Sequence, residues 1–441
     1  MSDETQQNYS DSELKLFHRI DKALQRKGQV ILYGPPGTGK TYMAKKFVDW
    51  KLSKTVIASA IFYLGDKEGH GGIFNENGIG KFNLLNNSRY NFEEKQLVFI
   101  NEYNDDRILC VGIGEVDSLS LDKNRLTISH VLFLKNKVDI SDVYTGKNIN
   151  FGTVKYYSGK VSDENLQKIK NKLDKSEEWE AISLLQPLCI CTFHPSYTYE
   201  DFIEGYKPKE MITESENVGV VSFHLESGIL KRFVDNMKFS FPRYFIIDEL
   251  NRGNVPKIFG ELITIMEKDK RGEEVLLPYS KKGFFVPNNL NIIGTMNTSD
   301  RSIKMMDAAL KRRFAFIEVM PDYSLFKTKI DELDLTPGQI LQKLNVYLME
   351  KGLGRDKQIG QAYFMQDGKQ VTSVEEIRDI FDMDIIPLIQ EYCYDDYNDL
   401  ADIVGAGLVN ATEEMINREP FDNVDLTLFI NSIRTHFGDG S

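Results

Sequence analysis

The chain has 441 residues, of which 41% are hydrophobic and 27% are charged, and its formal net charge is −12. No apolar run approaches the roughly 20 residues of a membrane span, and residues 1–15 lack a secretory signal pattern, so we expect a cytoplasmic protein without membrane contact. Four cysteines make no disulfide framework, and the acidic balance argues against a protein that coats DNA nonspecifically.

The first strong motif follows a short apolar stretch, residues 30–33, which predicts a β-strand. It reads GPPGTGKT, matches the pattern G-x-x-x-x-G-K-[ST] and precedes a predicted helix. Its glycines let backbone N–H groups turn toward phosphates, and the helix N-terminus adds a partial positive charge. Lys40 is predicted to neutralise the β and γ phosphates, and Thr41 to offer its hydroxyl to Mg²⁺. The predicted nucleotide-binding residues of this loop are Gly34, Pro35, Pro36, Gly37, Thr38, Gly39, Lys40 and Thr41.

A second motif ends an apolar run with two carboxylates. Residues 243–247 predict a buried parallel strand, and Asp248 and Glu249 follow it directly. The carboxyl ends of the strands are where an open α/β sheet places its site. We therefore predict that Asp248 holds Mg²⁺ together with Thr41, and that Glu249 polarises the attacking water as general base. Residues 256–268 are predicted to form the helix that follows.

Polar residues also follow the next apolar run, residues 290–296. Asn297 comes just past this run, where a polar side chain can reach the γ phosphate and the attacking water. We predict that it positions the water without taking its proton. Asp300 and Arg301 begin the turn into a further helix and are predicted to belong to the nucleotide site.

Two arginines end the helix that is predicted after this turn, in the segment LKRRF. Arg312 and Arg313 lie so far along the chain from the loop that they are poorly placed for their own nucleotide. They suit a neighbouring subunit's site, as arginine fingers supplied in trans. The alternative interpretation is a solvated basic helix end.

In this order, the P-loop, DELNRGN, MNTSDRS and ALKRRF resemble the motifs of the AAA+ family, and more narrowly those of the McrB-type motor GTPases. The segments at residues 193–208 (FHPSYTYEDFIEGYKP) and 359–364 (IGQAYF) resemble further McrB-type segments, with Gln361 where the family pattern has a histidine. The resemblance covers residues 14–55 and 186–410. It implies GTP, with ATP as the alternative, and Mg²⁺ as cofactors. It also implies a homo-oligomeric ring, a hexamer, with a McrC-like nuclease subunit and DNA as partners.

The resemblance implies an α/β fold, an AAA+ doubly wound parallel sheet with a helical lid, and the order of predicted strands and helices agrees. Residues 1–59 would hold an N-terminal arm and the P-loop, residues 186–322 the rest of the core, and residues 323–412 the lid. Residues 413–441 end in one predicted helix, which either packs on the lid or contacts a partner. Residues 60–185 interrupt the core, and their runs KQLVFINEY, RILCVGIGEV and RLTISHVLFL predict an inserted β-rich domain.

A competing pattern lies inside this insert. Residues 136–139 read NKVD, the sequence with which Ras-like GTPases select guanine, and residues 66–69 supply a D-x-x-G. In such a site Asp139 would accept hydrogen bonds from the guanine base. A Ras-like interpretation leaves the later carboxylates and arginines without a role, since these follow in AAA+ order. We therefore interpret NKVD as a strand end and turn.

These motifs predict an AAA+ nucleoside triphosphatase that acts as the ring motor of a McrBC-like restriction system and couples hydrolysis to DNA translocation in anti-phage defence. The alternative is a MoxR-like ATP-driven remodeller of proteins, which shares the motor but not the DNA. A third class, an assembly switch with little turnover, is disfavoured by Glu249. The identity of the base stays open, because AAA+ proteins contact it with backbone and apolar groups.

Overall fold

The computed structural model describes residues 9–52, 58–62, 73–74, 80–83, 96–104, 107–120, 125–144, 157–176, 187–212, 219–237, 241–299 and 308–438. The chain begins with α1 (Asp11–Lys27), β1 (Gln29–Gly34) and α2 (Lys40–Leu52). At the start of α1, the Ser10 hydroxyl accepts from the Glu13 N–H while the Glu13 carboxylate accepts from the Ser10 N–H. This reciprocal cap satisfies two N–H groups that the helix itself cannot bond.

The insert follows α2. Its elements are β2 (Ala58–Phe62), β3 (Ile73–Phe74), β4 (Gly80–Asn83), β5 (Leu97–Asn104), β6 (Arg107–Ser120), β7 (Arg125–Asp139), β8 (Tyr157–Lys160) and α3 (Asp163–Lys175). The strands form one mixed sheet in the order β3-β4-β7-β6-β5-β2-β8. Phe99, Cys110 and Ile113 of the sheet share a buried core with Ile169 and Leu173 of α3. The part of the insert that the structure describes is thus rich in β-strands.

The chain then returns to the core. Its elements are β9 (Leu188–Thr192), α4 (Tyr199–Phe202), β10 (Glu204–Ile212), β11 (Gly219–Ser227), α5 (Ile229–Asp235), β12 (Arg243–Asp248), α6 (Val255–Phe259), α7 (Leu262–Ile265), β13 (Val275–Leu276), β14 (Gly283–Phe284), β15 (Leu290–Asn297), α8 (Ala308–Arg313) and β16 (Ala315–Glu318). Strands β10 and β11 form an antiparallel hairpin, as do β13 and β14.

Five strands make one parallel sheet in the order β16-β1-β15-β12-β9. Helices cover both faces, so these strands are continuous apolar runs, and Ile31, Ile246 and Ile293 are fully buried. Parallel strands bring their carboxyl ends to one edge, and Gly34 is the register partner of Asn297 there. The sheet therefore collects the ends of β1, β12 and β15 on one edge of the core.

The helix predicted for residues 256–268 is wrong in its extent. Two short helices, α6 and α7, stand in its place, separated at Gly260, where φ is 52°. A Cβ at this position would lie 3.0 Å from the Tyr199 ring, whose hydroxyl donates to the Glu261 carboxylate at 2.6 Å. The helix breaks at Gly260, whose φ of 52° does not fit an α-helix, and the Tyr199 ring lies against the backbone at this point.

The lid follows β16. Its elements are α9 (Pro337–Glu350), β17 (Met365–Gln366), β18 (Lys369–Gln370), α10 (Val374–Ile380), α11 (Ile386–Tyr392), α12 (Tyr397–Val404), β19 (Val409–Asn410), β20 (Met415–Ile416), α13 (Glu419–Asp422) and α14 (Thr427–Phe437). Phe429 and Phe437 of α14 share one buried core with Leu341, Ile389 and Ile403. Of the two arrangements considered for the tail helix, the structure has it packed on the lid. Among the described residues, no helix is long and apolar enough to cross a membrane.

Candidate functional site

The P-loop joins the carboxyl end of β1 to the N-terminus of α2. Gly37 and Gly39 have φ angles of 73° and 75°, a conformation that glycine adopts without strain. The Lys40 side chain is buried and turns back into the loop, where its ammonium donates to the carbonyls of Gly34 at 3.1 Å and Pro35 at 2.7 Å. A positive charge is thus held inside the loop that is predicted to take the phosphates.

Asp248 lies beside the P-loop helix, at the end of β12. Its Oδ1 accepts hydrogen bonds from the hydroxyls of Thr41 and Thr295, the second at 2.6 Å. A hydroxyl next to a carboxylate supplies the hard oxygen atoms that Mg²⁺ prefers, so the two predicted metal ligands, Thr41 and Asp248, fit this ion.

Sequence reasoning missed Thr295. It is 2% exposed and lies on β15, two residues before Asn297 and therefore on the same face of the strand. A hydroxyl in an otherwise apolar run, two positions before a site residue, is the signal that could have identified it.

Glu249 follows Asp248 with φ at 52°, in the left-handed region that non-glycine residues rarely adopt and that is often found at functional sites. Its Oε1 accepts from the Asn297 amide at 2.9 Å, and its Oε2 accepts from Nε of Arg252 at 3.1 Å. The predicted base and the predicted water-positioning residue are therefore in direct contact, next to Gly34 of the P-loop. Arg252 belongs to DELNRGN, but sequence reasoning gave it no role.

Gln361 lies between the lid and the P-loop, with 6% of its surface exposed. Its Nε2 donates to the carbonyl of Thr38 at 2.9 Å, and its Oε1 accepts from the N–H of Asp322 at 3.2 Å. The residue that replaces the family's histidine therefore contacts the loop's backbone.

The two arginines lie at the opposite edge of the sheet. Gln29, the first residue of β1, donates to the carbonyl of Arg313 at 2.9 Å, whereas the P-loop begins at the other end of that strand, at Gly34. Five residues of strand separate the two ends by roughly 16 Å. The Arg313 guanidinium is paired with Glu267 at 2.9 Å, while Arg312 is exposed. The structure therefore does not bring these arginines to the P-loop of their own chain.

Two other predicted features lie away from this site or outside the described residues. Asp300 and Arg301, and residues 66–69 of the insert, fall outside the described part of the chain. Asp139 ends β7, and its carboxylate accepts from the N–H of Ser141 at 2.9 Å and from its hydroxyl at 2.6 Å. These bonds lower the pKa of Asp139. NKVD is thus a strand end and turn.

Two different protein families match this chain, one in the core and one in the lid. Residues 175–314 match an AAA domain of the dynein-related subfamily, and residues 336–401 match the alpha-helical lid domain of McrB. The type IV methyl-directed restriction enzyme EcoKMcrB subunit of Escherichia coli (strain K12) is 38% identical over 231 residues, 48% of each chain. The type II restriction enzyme BsuMI component YdiS of Bacillus subtilis (strain 168) is 30% identical over 157 residues, 28% of this chain and 46% of that protein.

The chain spans about half the length of the curated relatives that it matches, 48% and 46%. Among solved structures, an ATPase from Cytophaga hutchinsonii ATCC 33406 is 13% identical, and the match covers 59% of this chain and 81% of that one. Its TM-score of 0.20 is too low to bear on the fold or the function.

The sheet order, with the P-loop after β1 and a carboxylate pair after β12, defines the class: this is an AAA+ fold with a helical lid and a β-rich insert, and the family match over residues 175–314 agrees. The lid match and the identity to the E. coli subunit narrow the class. By these matches, the core and the lid are similar to those of McrB-type AAA+ proteins, as the motifs predicted.

Proposed function

We propose that this protein hydrolyses a nucleoside triphosphate, GTP in preference to ATP, in the presence of Mg²⁺. One observation carries the proposal: Thr41, Asp248, Glu249 and Asn297 meet at the carboxyl edge of one parallel sheet, beside a loop that holds the buried Lys40. Phosphoryl transfer to water needs a phosphate-binding lysine, metal ligands and a group that orients the water, and little else.

Each side chain has a distinct role in this proposal. Lys40 binds the β and γ phosphates, and Thr41 and Asp248 hold Mg²⁺, which neutralises phosphate charge when it is bound. Glu249 takes the proton of the attacking water, and Asn297, which donates to Glu249 at 2.9 Å, orients both groups. Asp300 and Arg301 follow Asn297 in the chain, and we assign them to the same site.

The arginines complete the site of a neighbouring subunit in a ring, which we propose to be a hexamer. Arg312 is the stronger candidate for the finger, because its side chain is exposed while Arg313 is paired with Glu267. Their position at the edge opposite the P-loop supports a site shared between two subunits, since neither arginine is near its own P-loop.

The biological role is proposed from the relatives, both of which are named as parts of restriction enzymes. We propose that the ring couples hydrolysis to DNA translocation, with a McrC-like nuclease subunit, in cytoplasmic anti-phage defence. The matches to the core region that contains Asp248, Glu249 and Asn297, and to the lid, support this role.

The test is hydrolysis of GTP and of ATP by the purified protein with Mg²⁺, with and without the product of the neighbouring gene. The matched control is Glu249→Gln. GTP turnover that the neighbour stimulates and that Glu249→Gln loses supports the proposal. Turnover of ATP alone, unaffected by a nuclease neighbour, contradicts it and favours a remodeller of proteins.

A further inference from the structure

A short stretch of the lid donates hydrogen bonds to three successive carbonyls of the P-loop, two from its backbone and one from a side chain. We name residues 360–362 the lid strap. Its hydrogen bonds are Gly360 N–H to Pro36 O at 2.9 Å, Ala362 N–H to Gly37 O at 2.8 Å, and Gln361 Nε2–H to Thr38 O at 2.9 Å. The lid strap therefore binds three neighbouring peptide carbonyls of the P-loop, all from the same side of the loop.

Peptide geometry turns these contacts into a constraint on the phosphate-binding groups. In a trans peptide, the C=O of one residue and the N–H of the next point in opposite directions, and the described residues contain no cis peptide bond. Carbonyls held toward the lid strap direct the N–H groups of Gly37, Thr38 and Gly39 away from it. A row of N–H groups turned to one side of such a loop is the kind of concavity that binds phosphate.

The contact is too close to be incidental. A Cβ added to Gly360 would lie 2.0 Å from the carbonyl carbon of Gly37, and a Cβ added to Gly37 would lie 2.7 Å from the Tyr363 ring. Gln361 also accepts from the N–H of Asp322, a residue of the connection between β16 and the lid. One buried amide thus joins the loop, the lid and the segment between core and lid.

We infer that Gln361 is a positioning residue through which the lid sets the orientation of the P-loop amides, so that the position of the lid controls nucleotide affinity. The inference rests on the proposed function, because it takes a nucleoside triphosphate as the ligand of the loop. When the lid strap moves away, the three carbonyls lose their donors, and the N–H groups lose the orientation that phosphate needs.

The sharpest variant is Gln361→Met, which keeps the length of the side chain and removes its donor and acceptor. We expect binding of a fluorescent, non-hydrolysable GTP analogue to weaken about three- to tenfold, as for the loss of a neutral hydrogen bond. The kcat at saturating GTP should change less than the KM, because the lost interaction acts on substrate and transition state alike. Gly360→Ala, which forces the lid strap off the loop, should weaken binding at least as much.

The matched control is Gln370→Met. Gln370 is also a lid glutamine with bonded backbone partners, since its side chain accepts from the N–H groups of Lys327 and Thr328 and donates to the Thr328 carbonyl. These partners are residues 327 and 328 and not residues of the P-loop, so the variant should bind the analogue as the parent does.

Lys40→Ala distinguishes a failure of the inference about Gln361 from a failure of the proposed nucleotide binding by the P-loop. If Gln361→Met and Gly360→Ala bind like the parent while Lys40→Ala has lost binding, the inference is wrong and the P-loop assignment stands. If Gln370→Met weakens binding as much as Gln361→Met, general loosening of the lid explains the effect, and the inference is overturned. If Lys40→Ala binds normally, the proposed function fails and the inference fails with it.

Discussion

Glu249 is fixed at both carboxylate oxygens, by the amide of Asn297 and by the guanidinium of Arg252. Thr295 has a similar effect on Asp248, because its hydroxyl donates to the carboxylate while its oxygen accepts from the N–H of Glu249 at 3.3 Å. Groups that are oriented before the nucleotide binds need no reorganisation during the reaction, which is the basis of electrostatic preorganisation. At the scale of residues, the two carboxylates are held by Thr295 and Asn297 of β15 together with Arg252.

Replacing Glu249 by Gln keeps the size of the side chain and removes the base. Glu249→Gln should keep nucleotide binding and assembly while losing at least about 10²-fold in turnover, the usual scale for the loss of a general base. Lys40→Ala, in contrast, should lose binding itself. Steady-state hydrolysis and equilibrium binding distinguish the two. Near-normal hydrolysis by Glu249→Gln would show that Glu249 is not the base.

Thr295→Val removes one hydroxyl from the Asp248 carboxylate without changing the shape of the side chain. Hydrogen bonds to charged groups are the stronger kind, so we expect turnover to fall about tenfold or more. The Mg²⁺ concentration for half-maximal rate should rise, because Asp248 loses its orientation. The exposed Thr264 provides the control Thr264→Val, which should leave both quantities unchanged. Equal effects in the two variants would contradict the role of Thr295.

At the scale of elements, the four longest strands of the core sheet were predictable, whereas β16, the break at Gly260 and the lid strap were not. Strands β1, β9, β12 and β15 are apolar runs, and predicted site residues end three of them: Gly34 ends β1, Asp248 ends β12 and Asn297 ends β15. The short β16 was not predicted, although it lies in the apolar run FAFI at residues 314–317, directly after a basic segment. The ring of a distant tyrosine packs at the break at Gly260, and two of the three bonds of the lid strap come from backbone groups, so side-chain motifs reveal neither contact.

The end of β7 gives a test of the nucleotide selectivity. Asp139 is bonded to Ser141 within its own turn, so Asp139→Asn should leave the ratio of GTP to ATP hydrolysis unchanged. In a Ras-like site the same change would shift selectivity toward xanthine nucleotides. Competition assays with GTP, ATP and XTP measure this directly. A shift toward XTP would mean that the insert reads the base.

The last helix of the lid should make stability depend on pH. Burial lowers the pKa of His436 from its ordinary value of 6.5, while Asp402 raises it and Lys343 lowers it further. A histidine whose pKa is lower in the folded state binds protons more readily when unfolded, so stability is complete above pH 6.5 and falls as pH drops toward the folded pKa. Thermal melting at several pH values should show this fall.

His436→Gln should reduce the dependence on pH, since glutamine does not titrate. His224→Gln is the control, because His224 is exposed on β11 and lies outside the lid. If the two variants keep the same pH dependence as the parent, burial of His436 is not its source.

At the scale of the whole molecule, the P-loop and the arginines occupy opposite edges of one sheet. A site shared in this way needs a head-to-tail interface, and such an interface closes into a ring when the rotation between subunits permits it. Each complete nucleotide site would then form at the interface between two chains.

Mixing two inactive variants tests this. Arg312→Ala/Arg313→Ala protein keeps Lys40, and Lys40→Ala protein keeps both arginines, so mixed rings rebuild some complete interfaces. An arginine finger contributes about 10³ to 10⁵ in rate, so hydrolysis by the mixture should exceed that of either variant. The rescue should grow with total protein concentration. If the mixture is inactive while both variants still form rings, the arginines are not fingers, and the alternative interpretation, a solvated basic helix end, is correct.

Arg312→Ala and Arg313→Ala as single variants should differ. Arg312 is exposed, so its loss should remove most of the hydrolysis by the ring, whereas Arg313 is paired with Glu267 and its loss should cost less activity. Sedimentation measurements on each variant control for loss of assembly. If Arg313→Ala loses more hydrolysis than Arg312→Ala while its rings stay intact, Arg313 rather than Arg312 is the arginine finger.

The first and last strands of the insert are neighbours, since β2 and β8 are antiparallel partners with Ala58 opposite Lys160. An inserted sheet whose first and last strands lie side by side can be accepted by a host domain with little distortion. Over evolutionary time, recombination can therefore lengthen, exchange or remove it while the sheet that carries the P-loop keeps its shape. Natural selection on whatever the insert contacts can proceed separately from selection on the rate of hydrolysis.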